Sequence, residues 1–247
     1  MTYCVGLRLE EGIVLLSDTR TNAGVDNVSR YRKMFTWSRP GERAVAMMTS
    51  GNLSITQGVI ARLDRRIEEA KAAGAEAPET ILSAESMFRV AQMVGEEMRH
   101  MQDLHRASLE QRGAAADAAI IVAGQRRGGS PRLYLVYAAG NFIEATDDTC
   151  FLQIGEHKYG KPILDRVVTP KTPIREALKA AFVSMDSTIR SNLSVGMPLD
   201  LAVIRSGALD FDMRRRIDAD DPDFSAISLR WSEALRAAFH ALPDIPR

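Results

Sequence analysis

A β-hairpin pattern opens this 247-residue chain at its third residue, and it fixes where the second residue must lie. Tyr3-Cys4-Val5-Gly6-Leu7-Arg8-Leu9 alternates as a strand, Glu10-Glu11-Gly12 makes a tight turn, and Ile13-Val14-Leu15-Leu16 returns, ending in Ser17-Asp18-Thr19-Arg20. A chain that starts this way carries Thr2 at the end of a sheet strand. Methionine before a small residue is normally trimmed during synthesis, so Thr2 is expected to become the first residue, with a hydroxyl beside a free α-amine. A hydroxyl is a weak nucleophile, but an adjacent amine with an ordinary pKa of about 7.7–8.0 takes its proton near neutral pH. An N-terminal threonine is therefore one way to activate an oxygen nucleophile. With only Met1 ahead of Thr2, maturation is expected to depend on a methionine aminopeptidase rather than on autocatalytic cleavage. By itself a Met-Thr start is common and carries little meaning; the residues that follow give it weight.

Polar Thr21-Asn22-Ala23-Gly24 makes a bend, Arg30-Tyr31-Arg32-Lys33 leads into Met34-Phe35-Thr36-Trp37, and Ala44-Val45-Ala46-Met47-Met48 runs into Thr49-Ser50-Gly51-Asn52 before a helix. An N-terminal Thr, a hairpin ending in Ser-Asp-x-Arg, a Lys before an apolar strand and a Ser-Gly before a helix together resemble a proteasome β-type subunit, of the N-terminal nucleophile hydrolase superfamily. The run 17–27 (SDTRTNAGVDN), with Arg32-Lys33-Met34-Phe35, is most similar to the bacterial branch called Anbu, the ancestral β subunit. The resemblance covers essentially the whole chain, its specific part being the N-terminal quarter.

The remaining pattern reads as sheet, helices, sheet, helices. Residues 53–73 carry Val59, Leu63 and Ile67 on one face, and a longer helix is expected to begin near Thr80, with Met87, Val90, Ala91, Val94, Met98 and Met101 as its packing stripe. Strands are expected at 118–123, 133–138 and 151–154, helices at about 159–168 and 173–192, strands at 199–205 and 211–217, and a last helix at 226–242. No repeat or convincing linker interrupts this order, so 1–247 reads as one proteasome-β-like domain with the helix near 226–242 appended. Strands flanked by helical pairs suit an α+β fold of two packed sheets covered on both outer faces. The four-layer α-β-β-α sandwich is what the resemblance implies; periodicity alone leaves other α+β arrangements open.

Charge excludes some functions. The 32 basic and 32 acidic residues give no net charge, and so no general affinity for nucleic acid or an anionic membrane. The Arg30-Tyr31-Arg32-Lys33 cluster reads as turn and strand-entry residues before a phosphate patch. Cys4 and Cys150 are far apart, Cys4 reading as a small core residue; with no signal peptide and no long apolar run, a cytoplasmic protein with reduced thiols is expected. His100 and His105 are five residues apart, off a common helical face, so no metal site is expected. No Gly-x-Ser-x-Gly elbow or phosphate-binding glycine loop occurs, and no cofactor is called for.

The resemblance assigns roles residue by residue. Thr2 is the nucleophile, Lys33 the cation beside it, and Asp18 the carboxylate that keeps a partly desolvated lysine charged. Alone, Asp18 would read as a turn cap; its spacing to Thr2 and Lys33 favours the catalytic role. Arg20 either braces Asp18 or lies at the surface. Gly51 falls where the family has its oxyanion-hole glycine, and a turn glycine opening a helix is the plainer alternative. Thr21, Tyr31, Phe35, Thr49 and Leu53 would face the substrate side chain, giving a pocket with an aromatic wall and no committed charge.

Two departures stand out. Most active β subunits carry a serine before the second sheet's helix and an Asp-x-x-Ser after the next one. This chain has Gly155-Glu156 at the first place and Ser191-Asn192-Leu193-Ser194 at the second, so Ser194 matches the family serine while Ser191 replaces the aspartate. The expected function is an N-terminal threonine hydrolase, a peptidase acting on short or unfolded peptides inside a homo-oligomeric ring or open spiral. The alternatives are a ring-forming structural subunit with little or no catalysis, and a small-molecule amidase. The sequence names neither the substrate nor an ATP-dependent unfoldase.

Overall fold

A computed structural model describes residues 2–22, 28–111, 113 and 115–245. Two five-stranded antiparallel sheets form its centre. The first has β10 (Phe151–Gly155), β1 (Tyr3–Leu9), β2 (Gly12–Asp18), β11 (Leu199–Arg205) and β12 (Met213–Ile217) in that order. The second runs β5 (Met34–Arg39), β6 (Arg43–Gly51), β7 (Ala118–Arg126), β8 (Arg132–Val136) and β9 (Phe142–Glu144). A small ribbon of β3 (Arg20–Asn22) and β4 (Val28–Arg30) stands beside them.

Strand parity divides the apolar residues into layers. Cys4, Ile13 and Leu15 pack with Met34, Ala46, Met48, Ile121 and Leu133 between the sheets. Val5, Leu7, Val14 and Leu16 face the other way, against α3 (Lys161–Val167) and α4 (Ile174–Ser191), whose Leu164, Ala177, Ala181 and Met185 join the same cluster. On the opposite side Val45, Met47, Ile120 and Val122 of the second sheet meet α1 (Leu53–Ala73) and α2 (Met87–Glu110) through Ile55, Val59, Leu63, Val90, Val94 and Met98. The result is an α-β-β-α sandwich. β1 and β2 are covered on both faces, so they read as near-continuous apolar runs. Gly6 lies where the sheets come closest: a Cβ there would meet Leu133 Cδ1 at 2.8 Å.

Local signals explain where the boundaries depart from expectation. The second helix begins at Met87, not near Thr80. Thr80 and Ser83 close a turn on themselves, with Thr80 N donating to Ser83 Oγ at 2.9 Å and Leu82 N to Thr80 Oγ1 at 3.1 Å; Ser86 then caps the helix, its Oγ accepting from Arg89 N at 3.0 Å. The last helix, α5 (Pro222–His240), starts four residues before 226, because Asp221 caps it by accepting from Phe224 N at 3.0 Å and Pro222 fits its first turn. β9 has three residues, too short to show a period of two. The Met-rich stripe of α2 is buried against α1 and the second sheet, whereas Leu229, Leu235, Phe239 and Leu242 of the last helix and its end remain exposed.

Candidate active site

The register of β1 on β2 pairs Cys4 with Ser17, which brings the start of β1 beside the end of β2. Asp18 then collects donors from four stretches of chain. Its Oδ1 accepts from Tyr3 N at 3.0 Å and from Lys33 Nζ at 2.6 Å; its Oδ2 accepts from Arg20 N at 3.1 Å and Gly196 N at 3.3 Å. Lys33 also donates to Arg20 O at 2.6 Å. Its segment is fixed to the second sheet by Thr49 N, which donates to Lys33 O at 2.9 Å. The pair is shut off from solvent, the side chains being 4% and 0% exposed. Burial pushes the Asp18 carboxyl above its usual range, while the Lys33 ammonium and the Tyr3 and Gly196 amides pull it back. Every donor around it fits the ionised form.

Arg20 braces this arrangement through its backbone, and its guanidinium holds the loop between α4 and β11 by donating to Leu193 O at 2.9 Å. Thr19 Oγ1 donates to Pro198 O at 2.7 Å in the same loop. Ser194 belongs to that loop and is turned by Asn192, whose Oδ1 accepts from Ser194 N at 2.9 Å. Ser194 does not line the cleft described next.

A cleft of about 660 Å³ opens over the ends of the two sheets. Thr2, Lys33, Thr21, Thr49, Gly51 and Leu53 line it, so six of the expected residues converge there, with Asp18 directly behind Lys33. Tyr31 and Phe35 are not among its walls. Tyr31 is 41% exposed, and Phe35 packs with the α1–α2 layer, its ring 6.4 Å from that of Trp37. The reason is strand parity: Met34 takes the inner face of β5 and Phe35 the outer. The aromatic residue in the cleft is instead Tyr137, joined by Gln153 and His157 from the far side. None of these three stands in a local pattern that marks it.

Gly155 is the tightest point. At φ +83° its missing side chain leaves room for Thr2, since a Cβ would come 1.9 Å from the Thr2 carbonyl oxygen. That carbonyl is held by Glu156 N at 2.7 Å, and His157 Nδ1 lies 3.1 Å from Gly155 O. Gly51, at φ +92°, is equally crowded: a Cβ would meet Asp117 O at 2.3 Å. Asn52 follows it as the cap of α1, accepting from Ser54 N at 3.0 Å. Behind Thr2, the Tyr3 hydroxyl lies 2.5 Å from Ser184 Oγ and accepts from Gln153 Nε2 at 2.6 Å. Cys4 is fully buried and burial pushes its thiol far up, which leaves it a core residue rather than a nucleophile. Among the described residues no group of His, Cys, Asp or Glu could hold a metal ion, and no helix is long and apolar enough to cross a membrane.

Two stacked sheets with a threonine at the start of one strand and a lysine–aspartate pair against it define a class, and the comparisons agree. The family model described as proteasome subunit matches residues 2–204, and the chain belongs to that family. No curated protein matches it. Among solved structures it is similar to an Anbu (Gly-1) mutant from Hyphomicrobium sp. strain MC1, at 43% identity and a TM-score of 0.90 over 100% of both chains. Anbu (ancestral β subunit) from Yersinia bercovieri is 39% identical, with a TM-score of 0.90 over 99% of both chains. An Anbu complex from Pseudomonas aeruginosa, described as a helical assembly, is 44% identical with a TM-score of 0.90, covering 99% of this chain and 98% of that one. Within the proteasome family the chain is therefore of the Anbu branch.

Proposed function

We propose that the chain is an N-terminal threonine hydrolase, a cytoplasmic peptidase that cleaves short or unfolded peptides through an acyl-threonine intermediate. The observation that carries this is the Lys33–Asp18 pair, 2.6 Å apart and buried in the wall that also holds Thr2. Burying two charges costs several kcal/mol, on the order of what their attraction returns, so such a pair is poor evidence for stability and better evidence for a site. Met1 lies outside the described residues. Once it is removed, the Thr2 amine takes the Oγ1 proton as the oxygen attacks the peptide carbonyl. The Gly51 N–H is the expected donor to the oxyanion, and the Lys33 ammonium supplies the positive field. Collapse expels the amine leaving group with the proton from the Thr2 amine, and water then hydrolyses the ester by the same route.

The test is the intact mass of native protein before and after a threonine-directed β-lactone, with an epoxyketone in parallel. Loss of Met1 and one adduct per subunit, absent in Thr2→Ala, is expected. Quantitative retention of Met1 on protein from its native cell would sink this proposal, because no free amine would then adjoin the Thr2 hydroxyl, and so would the absence of any adduct. Either outcome would favour a structural subunit, to which the glycine at 155 and Ser191 point, since both replace groups that in the family orient the threonine amine. Retained labelling with turnover only on small amides would favour an amidase.

Self-association is part of the same proposal. The exposed apolar face of α5 and the helical assembly of the Pseudomonas aeruginosa relative support it. Confinement in an assembly would restrict the threonine to chains able to reach it.

A further inference from the structure

The two sheets part again where their edge strands β12 and β5 face each other, leaving a second cavity of about 440 Å³. Arg32, Arg214, Arg215 and Arg216 line it, together with Asp200 and Thr36. Its charges do not balance. Arg215 is held from outside by Asp221 and by Asp223, the latter at 2.9 Å. Arg216 reaches Asp200 only at 3.7 Å, and the Arg214 guanidinium lies 5.3 Å above the Phe211 ring. Asp200 is the one carboxylate lining the cavity, against three guanidinium groups that no other acid holds among the described residues.

The buried side of this cavity is also unsatisfied. Asp200 Oδ2 has no hydrogen-bond partner among the described residues, nor has Ser17 Oγ, and the β2–β11 register sets these two residues directly opposite on one face. Burial pushes the Asp200 carboxyl up, against the pull of Arg216 and Arg32.

We propose that this cavity binds a small, multiply charged oxyanion, a polyphosphate or polycarboxylate, between the guanidinium groups of Arg32, Arg214 and Arg216. The planar fork of arginine suits bidentate contact with carboxylate and phosphate oxygens. The cavity's volume of about 440 Å³ suits a small ion, and its arginines open to solvent at the mouth. The position is directly behind the threonine cleft: Arg32 is the chain neighbour of Lys33, and Ser17 is that of Asp18.

Calorimetric titration of the full chain at low ionic strength tests this, with pyrophosphate in one arm and citrate in the other to separate the two ligand sources. Saturable binding of at least one, at one per subunit, is expected. Arg214→Glu with Arg216→Glu should weaken it about tenfold or more, since each reversal both removes an attraction and adds a repulsion. Asp200→Asn should tighten it, because a competing carboxylate is gone; a merely structural role would not strengthen binding. Arg65→Glu with Arg175→Glu makes the same change in net charge on exposed helix surfaces and should leave binding unaltered. Failure of both anions to bind saturably, equal weakening in the control pair, or no tightening in Asp200→Asn overturns the proposal. Arg214 and Arg216 are exposed, so melting curves should show all variants folded.

Discussion

Gly155 sits so close beneath Thr2 that a Cβ on it would lie 1.9 Å from the Thr2 carbonyl oxygen. The position where the family carries a serine is thus, in this chain, part of the seat of the threonine itself. Gly155→Ser should strain the backbone at φ +83° by roughly 1–2 kcal/mol and push Thr2 or Glu156 out of place as well. A lower melting temperature and much slower β-lactone labelling are expected. A variant that melts and labels like the wild type would contradict this account.

Removing one partner of the buried pair leaves the other charge stranded. Lys33→Ala should cost about 3–5 kcal/mol of stability and lower turnover strongly, while a domain of ordinary stability stays folded. Asp18→Asn should also lower turnover, by releasing the lysine. The double variant should be more stable than the sum of the two losses predicts, by about 1 kcal/mol or more, which a double-mutant cycle in urea measures. Strict additivity, or wild-type turnover in both single variants, would refute the coupling.

Alkaline stability should depend on Tyr3. Burial raises its hydroxyl from 10.0 to about 12, against the lowering pull of Ser184 and Gln153. The unfolded chain ionises first, so the contribution is fully present below pH 10 and is lost as pH rises to about 12, amounting to roughly 3 kcal/mol. Urea unfolding across that range should show a steeper fall for the wild type than for Tyr3→Phe. Equal slopes would show that Tyr3 titrates alike in both states.

The exposed face of α5 should hold subunits together. Leu235 and Phe239 are 50% and 70% exposed, so Leu235→Glu with Phe239→Glu should change subunit stability by less than about 0.5 kcal/mol while reducing particle size in sedimentation. A wild-type chain that sediments only as monomer at micromolar concentration would remove both this role and a compartmental protease.

Much of the site was legible in the chain because its parts are local. The hairpin puts Thr2 and Asp18 at one end by strand register alone, and Lys33 stands immediately before an apolar strand. The helix stripes at Val59, Leu63 and Ile67, and at Val90, Val94 and Met98, follow from a period of 3.6 and are buried as that period requires. What the tertiary structure decided was which side each residue faces and what meets it from far away. Met34-Phe35-Thr36-Trp37 has no clear apolar alternation, so only the packing of β5 turned Phe35 from the cleft toward the helices. Tyr137, Gln153 and His157 enter the cleft, and Gly196 N reaches Asp18, across more than a hundred residues of chain. No local periodicity encodes such contacts. Two sheets stacking at one fixed offset bring these residues together, and that offset is set by the whole core between them.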